Sequence, residues 1–457
     1  MTMTKIFDYC IVGGGPSGLT SAYELLKKNK KILMIERDSR VGGLAKSYNY
    51  NGHIFDTGPK RFHTDDPIVQ SFLEEIMNMD IIGRSTKVHF MNRYFDWPLN
   101  LKSIFKMPPS MIIKTLYDLL NKDNLQDINS FENYIKLKYG NNLFNLFFKP
   151  YTEKFLKWNA ADIHADWALT GINRTVIDKK VNANSILDII KSLTLPQKID
   201  TKFLYPKEGG FGNFFEKIFQ NISSNYNFEI KLNSKVNKIH KNEKYLLLEC
   251  SDGTSIKCED LIWTGNLNNL SSLINKELNT NLHYINTIFY NFITPEKNIK
   301  KNKSQWIYVS DGKKLISRIT CMKEFSESTT PAGYYNFIVE ITDSQREPLY
   351  FEEPRKILDQ AISELINMNF IKNSKDILDI KINSIQDTYP IYHKQYKVAF
   401  NTVLKGVKSF SKNIHLLGRS GAYWYNNSDH SIRMAIELAK KLLKKNHDFE
   451  FDYRKYF

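Results

Sequence analysis

The segment Cys10-Ile-Val-Gly-Gly-Gly-Pro-Ser-Gly-Leu19 constrains the fold of this chain more than any other. An apolar run from Tyr9 to Val12 leads into it, and a helical pattern from Leu19 to Leu26 follows. Strand, glycine turn and helix in that order give meaning to an otherwise common pattern. Gly13 allows the tight turn, Gly15 lets backbone approach a pyrophosphate, and Gly18 permits close packing of helix on strand. The helix N-terminus offers free N–H groups and a partial positive charge, which suit phosphate. A second strand, Lys31-Ile-Leu-Met-Ile35, ends in Glu36-Arg37, and Glu36 follows Gly13 at roughly the ~20-residue spacing of a ribose-binding carboxylate. These residues predict a Rossmann-type site for a dinucleotide.

At 457 residues the chain exceeds the ~250–300 residues at which one core stops growing, so two or three substructures are expected. The first sixty residues read β-α-β, then a glycine-rich loop. Patterns from about Leu99 to Leu193 are mainly helical, notably Ser103 to Leu120 and Ser130 to Phe148. Phe228 to Trp263 alternates as strands do, with a Ser251-Asp-Gly-Thr254 turn. Strands resume from about Asn281 to Phe400, with a helix near Pro354 to Asn367. A strand at Asn413–Leu417 and a helix from about Ser431 to Lys445 close the pattern. The expected class is α/β: a discontinuous FAD-binding domain (1–98, 205–275 and 401–457), a helical insertion (99–204) and a mixed-sheet substrate domain (276–400).

The net charge of +15 allows nucleic acid, an anionic membrane surface or an anionic small substrate as partner. Lysines are scattered and no nucleic-acid module is visible, so nucleic acid is not expected. No apolar run approaches the ~20 residues of a membrane span. The first strand begins within a few residues of Met1, so no leader is expected and the location is read as cytoplasmic. Cys10, Cys250, Cys258 and Cys321 lack metal spacing and read as free thiols, so no metal is expected.

Several segments resemble the flavoprotein superfamily of UDP-galactopyranose mutase, protoporphyrinogen oxidase and the amine oxidases. Arg40-Val-Gly-Gly-Leu-Ala45 is similar to the glycine doublet that lets FAD pass over backbone, through Gly42, Gly43 and Leu44. Gly58-Pro-Lys-Arg-Phe-His-Thr-Asp65 resembles the mutases' Gly-Ala-His-Ile-Phe-His-Thr-Asn loop; it places His63 on their second histidine and Lys60 on their first. Lys149-Pro-Tyr-Thr-Glu-Lys154 is similar to their Gly-Tyr-Thr-Glu-Lys, bringing in Tyr151; Leu156 replaces their tryptophan, with Trp158 nearby. Leu261-Ile-Trp-Thr-Gly265 resembles the strand that returns to the FAD domain. Gly418-Arg-Ser-Gly-Ala-Tyr-Trp-Tyr-Asn-Asn-Ser-Asp-His430 resembles the mutases' flavin loop and helix.

The resemblance implies FAD held by Gly13, Gly15, Pro16, Ser17, Gly18, Glu36, Arg37, Gly42, Gly43, Leu44, Val236, Gly418, Arg419, Asn427 and Ser428. It implies a nucleotide-diphospho sugar bound by Tyr151, Trp158, Arg174, Arg318, Tyr389 and Tyr425, with His63, Arg174 and Arg318 acting in catalysis. Arginine's planar fork suits phosphate oxygens. The implied reaction has no net redox change: N5 of a reduced flavin attacks the anomeric carbon, as in UDP-galactopyranose to UDP-galactofuranose conversion. NAD(P)H would serve only as a transient reductant, since no second fingerprint is present. Two alternatives stand beside this. One is an FAD-dependent oxidoreductase of the protoporphyrinogen oxidase or amine oxidase type; the other is a flavin-binding scaffold without catalysis. The oligomeric state is left open.

Overall fold

A computed structural model of the chain describes residues 6–97, 106–121, 127–172, 202–275, 280–299 and 304–445. The strand Ile6–Val12 lies inside a seven-stranded sheet, pairing in parallel with Ile32–Ile35 on one side and Ser255–Trp263 on the other. Phe228–Lys231 extends the sheet beyond Ile32–Ile35. The first half of Ser255–Trp263 carries the antiparallel hairpin Val236–Lys241 and Leu246–Cys250, while its second half pairs in parallel with Ile414–Leu416. One strand thus joins the beginning, middle and end of the chain.

Helix Pro16–Leu26 presents Leu19, Ala22, Leu25 and Leu26 at helical spacing, all buried on this sheet with Ile32 and Met34. Helices Gly212–Ser223 and Ser428–Leu443 join that core through Phe214, Ile218, Ile432 and Ala435. Buried residues such as Phe7, Leu33 and Ile35 build the core on the other side with Leu267, Tyr396 and Val403. Strands covered on both sides read as continuous apolar runs, as Ile32-Leu-Met-Ile35 does. The result is the expected Rossmann-type α/β architecture.

The second sheet has the order Asp379–Pro390, Tyr284–Pro295, Tyr334–Ser344, Arg318–Cys321, Trp306–Val309, Thr86–Phe90, Arg93–Asp96. Its pairings are antiparallel except that of Trp306–Val309 with Thr86–Phe90. Here the expected boundary at 98 is corrected. Thr86–Phe90 and Arg93–Asp96 complete the second sheet, because buried Val88, Phe90 and Phe95 find their apolar partner in Met111 of the insertion. Helix Tyr396–Phe410 likewise crosses the boundary expected at 400, with Tyr396, Val403 and Val407 in the dinucleotide-domain core. The helix expected over 130–148 is divided at Gly140, whose φ of 85° few other residues tolerate. Lys202–Pro206 pairs with Met79–Gly83 in a separate two-stranded sheet. Among the described residues no helix is long and apolar enough to cross a membrane.

Lys154 ties the helical insertion to the second sheet. Its buried Nζ donates to the carbonyls of Val309 (2.6 Å), Asp311 (2.8 Å) and Ile316 (2.8 Å). Three acceptors match the three protons of an ammonium group. Lys154→Met strands those carbonyls, and the expected loss is at least about 2 kcal/mol of stability. Urea unfolding checks this, and a midpoint equal to wild type would make the tie unimportant.

Candidate functional site

The glycine turn is held from both sides. Gly13 N–H donates to the Ile35 carbonyl (2.9 Å), and Gly14 N–H donates to Oε2 of Glu36 (2.6 Å). Glu36 Oε1 accepts from Asp38 N–H (2.9 Å), which fixes this buried carboxylate at the end of the second strand. Arg37 beside it is exposed, with its Nε 4.0 Å from Asp38. The Glu36 carbonyl also accepts from Ser234 N–H (3.0 Å), which brings the start of the edge hairpin, and so Val236, towards the same end of the sheet.

The second glycine loop lies on the first. Gly42 N–H donates to the Gly14 carbonyl at 2.7 Å. A Cβ on Gly15 would meet only the Gly43 Cα, at 3.7 Å, and otherwise open space. Leu44 follows in a short 3₁₀ turn, where its carbonyl accepts the Thr57 hydroxyl. Helix Pro16–Leu26 has no side-chain cap at Gly15, so its first N–H groups are left for a ligand. From the chain's other end, Gly418 (φ 78°) approaches Ser17, whose Oγ a Cβ would reach at 2.9 Å. Helix Ser428–Leu443 starts three residues before the expected Ser431, because Asn427 caps it reciprocally with His430. A glycine-lined passage, an uncapped helix start and a carboxylate at the next strand end together fit a dinucleotide such as FAD.

Beyond Gly418 stands a cluster of cations and tyrosines. Arg318 is buried on the second sheet and gives Nε (2.8 Å) and Nη2 (2.5 Å) to the two oxygens of Glu340. The same Nη2 donates to Tyr389 Oη at 3.2 Å. Burial by itself would lower the Arg318 pKa, but Glu340 and Tyr389 hold it well above the usual arginine value. One edge of its fork is therefore already occupied, which differs from the expectation of a fork offered whole to phosphate. Arg419 gives Nε and Nη2 to the Asn426 carbonyl and Nη1 to the Thr388 carbonyl, while its guanidinium lies 4.8 Å from the Tyr389 ring centre. It holds the C-terminal loop closed over the second sheet.

Tyr389 and Tyr425 meet edge to face at 5.0 Å, and Phe155 packs on Tyr389 at 5.3 Å. Tyr151 stacks on Phe155 and meets Tyr308 edge-on. Burial raises the Tyr151 and Tyr425 pKa values, so both phenols stay protonated donors. Trp167, which sequence reasoning missed, is stacked between Tyr425 and Phe155 and fixes both rings. Trp158 lies elsewhere: its ring neighbours are His283, His393 and Arg346. Arg174 lies outside the described residues. His63 has its Nδ1 3.2 Å from the Lys202 carbonyl, and its pKa is lowered, chiefly by burial.

Lys60 and Arg61 complete the cluster. Both keep some accessible surface, and burial is the largest cause lowering the pKa of each. Arg61 lies over the Trp306 ring at 4.4 Å. Burial first, then Arg419 and Arg318, bring the Lys60 pKa down to about 7. With a folded-state pKa below the unfolded one, the native state binds fewer protons across about pH 7 to 10.5, so stability rises with pH there and the full penalty is present below pH 7. Lys60→Met is therefore expected to raise the melting temperature of the protein at pH 6.5. A lower melting temperature would show that Lys60 is held by favourable contacts.

Residues 11–76 match the NAD(P)-binding Rossmann-like domain family. The chain is 23% identical over 446 residues to UDP-galactopyranose mutase of Mycoplasma genitalium, covering 96% of this chain and 95% of that protein. It is 24% identical over 238 residues to dTDP-fucopyranose mutase of Escherichia coli, covering 50% of this chain and 57% of that one. Its fold matches the crystal structure of a reduced UDP-galactopyranose mutase with a TM-score of 0.80 at 18% identity, covering 96% of each chain. The chain is thus UDP-galactopyranose mutase-like over nearly its whole length.

Proposed function

We propose that the protein is an FAD-dependent mutase of a nucleotide-diphospho sugar, interconverting pyranose and furanose forms. The observation that carries this reading is the convergence of Arg318, Tyr389 and Tyr425 beside the loop that begins at the Gly418 approach to Ser17. Similarity to two sugar-nucleotide mutases supports it. FAD would lie along the Gly13–Gly18 and Gly42–Gly43 loops, with its ribose on Glu36. When bound and reduced, the flavin supplies the nucleophile for the anomeric carbon, a reaction few side-chain acids need assist.

The chain's own residues position the diphosphate. Arg318 has its Nη1 left for a phosphate oxygen, since Nε and Nη2 serve Glu340 and Tyr389. Tyr389 Oη accepts from Arg318 and so keeps its own proton to donate. Tyr425 and Tyr151 add neutral donors, since burial raises both pKa values. Arg419 ties the C-terminal loop to the second sheet beside them.

The deciding experiment is dithionite reduction of the FAD-loaded protein, addition of UDP-galactopyranose, and chromatography of the products. Furanose formed by the reduced protein but not the oxidised one is the expected result. Oxidation of amines or porphyrinogens with no response to any nucleotide sugar would overturn it. Tyr389→Phe is expected to weaken UDP binding about fivefold or more while FAD content stays at the wild-type level, as calorimetry would show. Unchanged UDP affinity would remove Tyr389 from the site.

A further inference from the structure

We propose that Lys60 and Arg61 form a receptor for a second anionic group beside the diphosphate, a carboxylate on the sugar, so that the preferred substrate is an acidic nucleotide-diphospho sugar. This rests on the mutase reading above and names its substrate class.

The loop Gly58-Pro-Lys-Arg-Phe-His-Thr-Asp65 carries adjacent cations where the similar mutase loop has histidine and isoleucine. Gly58 anchors it against the diphosphate cluster, since a Cβ there would sit 2.9 Å from Glu340 Oε1. Lys60 follows two residues on, within about 7 Å along the chain. That reach is comparable with one sugar ring beyond the diphosphate.

Among the described residues neither cation has a hydrogen-bonded or ion-paired carboxylate, although Asp429 acts on Arg61 without contact. The carboxylates acting on Lys60 are Glu340 and Asp56. Glu340 is taken by Arg318 and Thr320. Asp56 is taken by Ser47, Tyr205 and the Phe211 N–H. Among the described residues Lys60 has no hydrogen-bond acceptor. Arg61 lies with the face of its guanidinium on Trp306, and among the described residues its N–H edges have no hydrogen-bond acceptor. Trp306 is fully buried, and its Nε1 also lacks a partner.

Burial lowers the pKa of both groups, and Arg318 lowers both further, as expected where positive charge outweighs negative until an anion arrives. A flat guanidinium with free edges suits a planar carboxylate, and the neighbouring ammonium adds a point charge. The diphosphate has its own donors in Arg318, Tyr389 and Tyr425, so the pair at 60 and 61 is left for a further charge.

The test is calorimetric titration of the FAD-loaded full chain with UDP, UDP-galactose and UDP-galacturonate. The acidic sugar is expected to bind at least about tenfold more tightly than UDP-galactose. In the double variant Lys60→His, Arg61→Ile that preference disappears while affinity for UDP and FAD content are retained. Equal affinity for the two sugars in the wild-type protein overturns the proposal without any variant and leaves the mutase reading standing. Equal loss of UDP affinity in the double variant overturns it too, because the cations would then serve the diphosphate. Failure of UDP itself to bind the wild-type protein overturns both this proposal and the mutase reading.

Discussion

Replacing Gly18 by alanine is expected to strip the protein of FAD and to lower its stability. A Cβ at this position would stand 2.0 Å from the Gly13 carbonyl oxygen and 3.2 Å from its carbon, both backbone atoms of the turn. Neither can swing aside as a side chain would. Relief requires the helix Pro16–Leu26 to move off the strand Ile6–Val12, which loosens Leu19 and Ala22 in the core. Overpacking of this kind costs about 1–3 kcal/mol, and here it also displaces the N–H groups facing the groove. Flavin absorbance per protein after purification should fall about tenfold or more, with a lower melting temperature. The comparison is Gly253→Ala, where φ is +80° and no atom lies within 4 Å of the added carbon. That change costs about 1–2 kcal/mol of backbone strain and leaves FAD in place. Equal FAD retention in the two variants would mean that the close approach at Gly18 does not shape the site.

Cutting one half of the Arg318–Glu340 pair is expected to be the most destabilising change on the second sheet. Glu340 is 1% exposed and Arg318 8% exposed. Glu340→Leu leaves a largely buried guanidinium without its carboxylate, at an expected cost of about 3–5 kcal/mol. It also frees the Thr320 hydroxyl, which donates to the same carboxylate at 3.2 Å. Arg318→Met abandons the carboxylate instead and should cost a similar amount. The double variant should recover much of the loss, since two apolar groups of similar volume need no solvation. A double-mutant cycle in urea reads the coupling. If the two single losses simply add, the pair contributes nothing as a pair. The double variant should in addition lose UDP binding although its stability is restored, which separates the functional role of Arg318 from its structural one.

Much of the dinucleotide site was legible in the sequence because its chemistry is local. Gly13, Gly15 and Gly18 serve one turn, and Glu36 ends the next strand, so spacing alone places them together. Gly42 and Gly43 came from resemblance, and the hydrogen bond from Gly42 N–H to the Gly14 carbonyl gives that a physical reason. The cluster of tyrosines and arginines was less legible. Tyr425 and Tyr389 were named, yet their common support, Trp167, carries no sequence signal beyond being one aromatic residue among many. Trp158 stands near Leu156, which replaces the tryptophan of the resemblance, but the αL conformation of Lys157 ends that helix and sends the following chain towards His283 and His393. Glu340 was not read as a site residue, because a lone acid in an apolar strand announces no partner. Arg61 had one clue, its place in the Pro-Lys-Arg-Phe loop, and only the Trp306 ring beneath it gives that clue meaning.

What the sequence determined by itself is the class of fold and the cradle for a dinucleotide, since periodicity and glycine spacing act between residues close along the chain. The tertiary structure decided where the sheets divide, which charges are answered and which are left over. Thr86–Phe90 joined the second sheet through a parallel ladder to Trp306–Val309, a pairing between residues far apart along the chain. Arg318 found Glu340 across adjacent strands, and Lys60 found no acceptor among the described residues. Such outcomes depend on burial, which removes water as the universal partner, and burial is a property of the assembled core rather than of any segment of the chain.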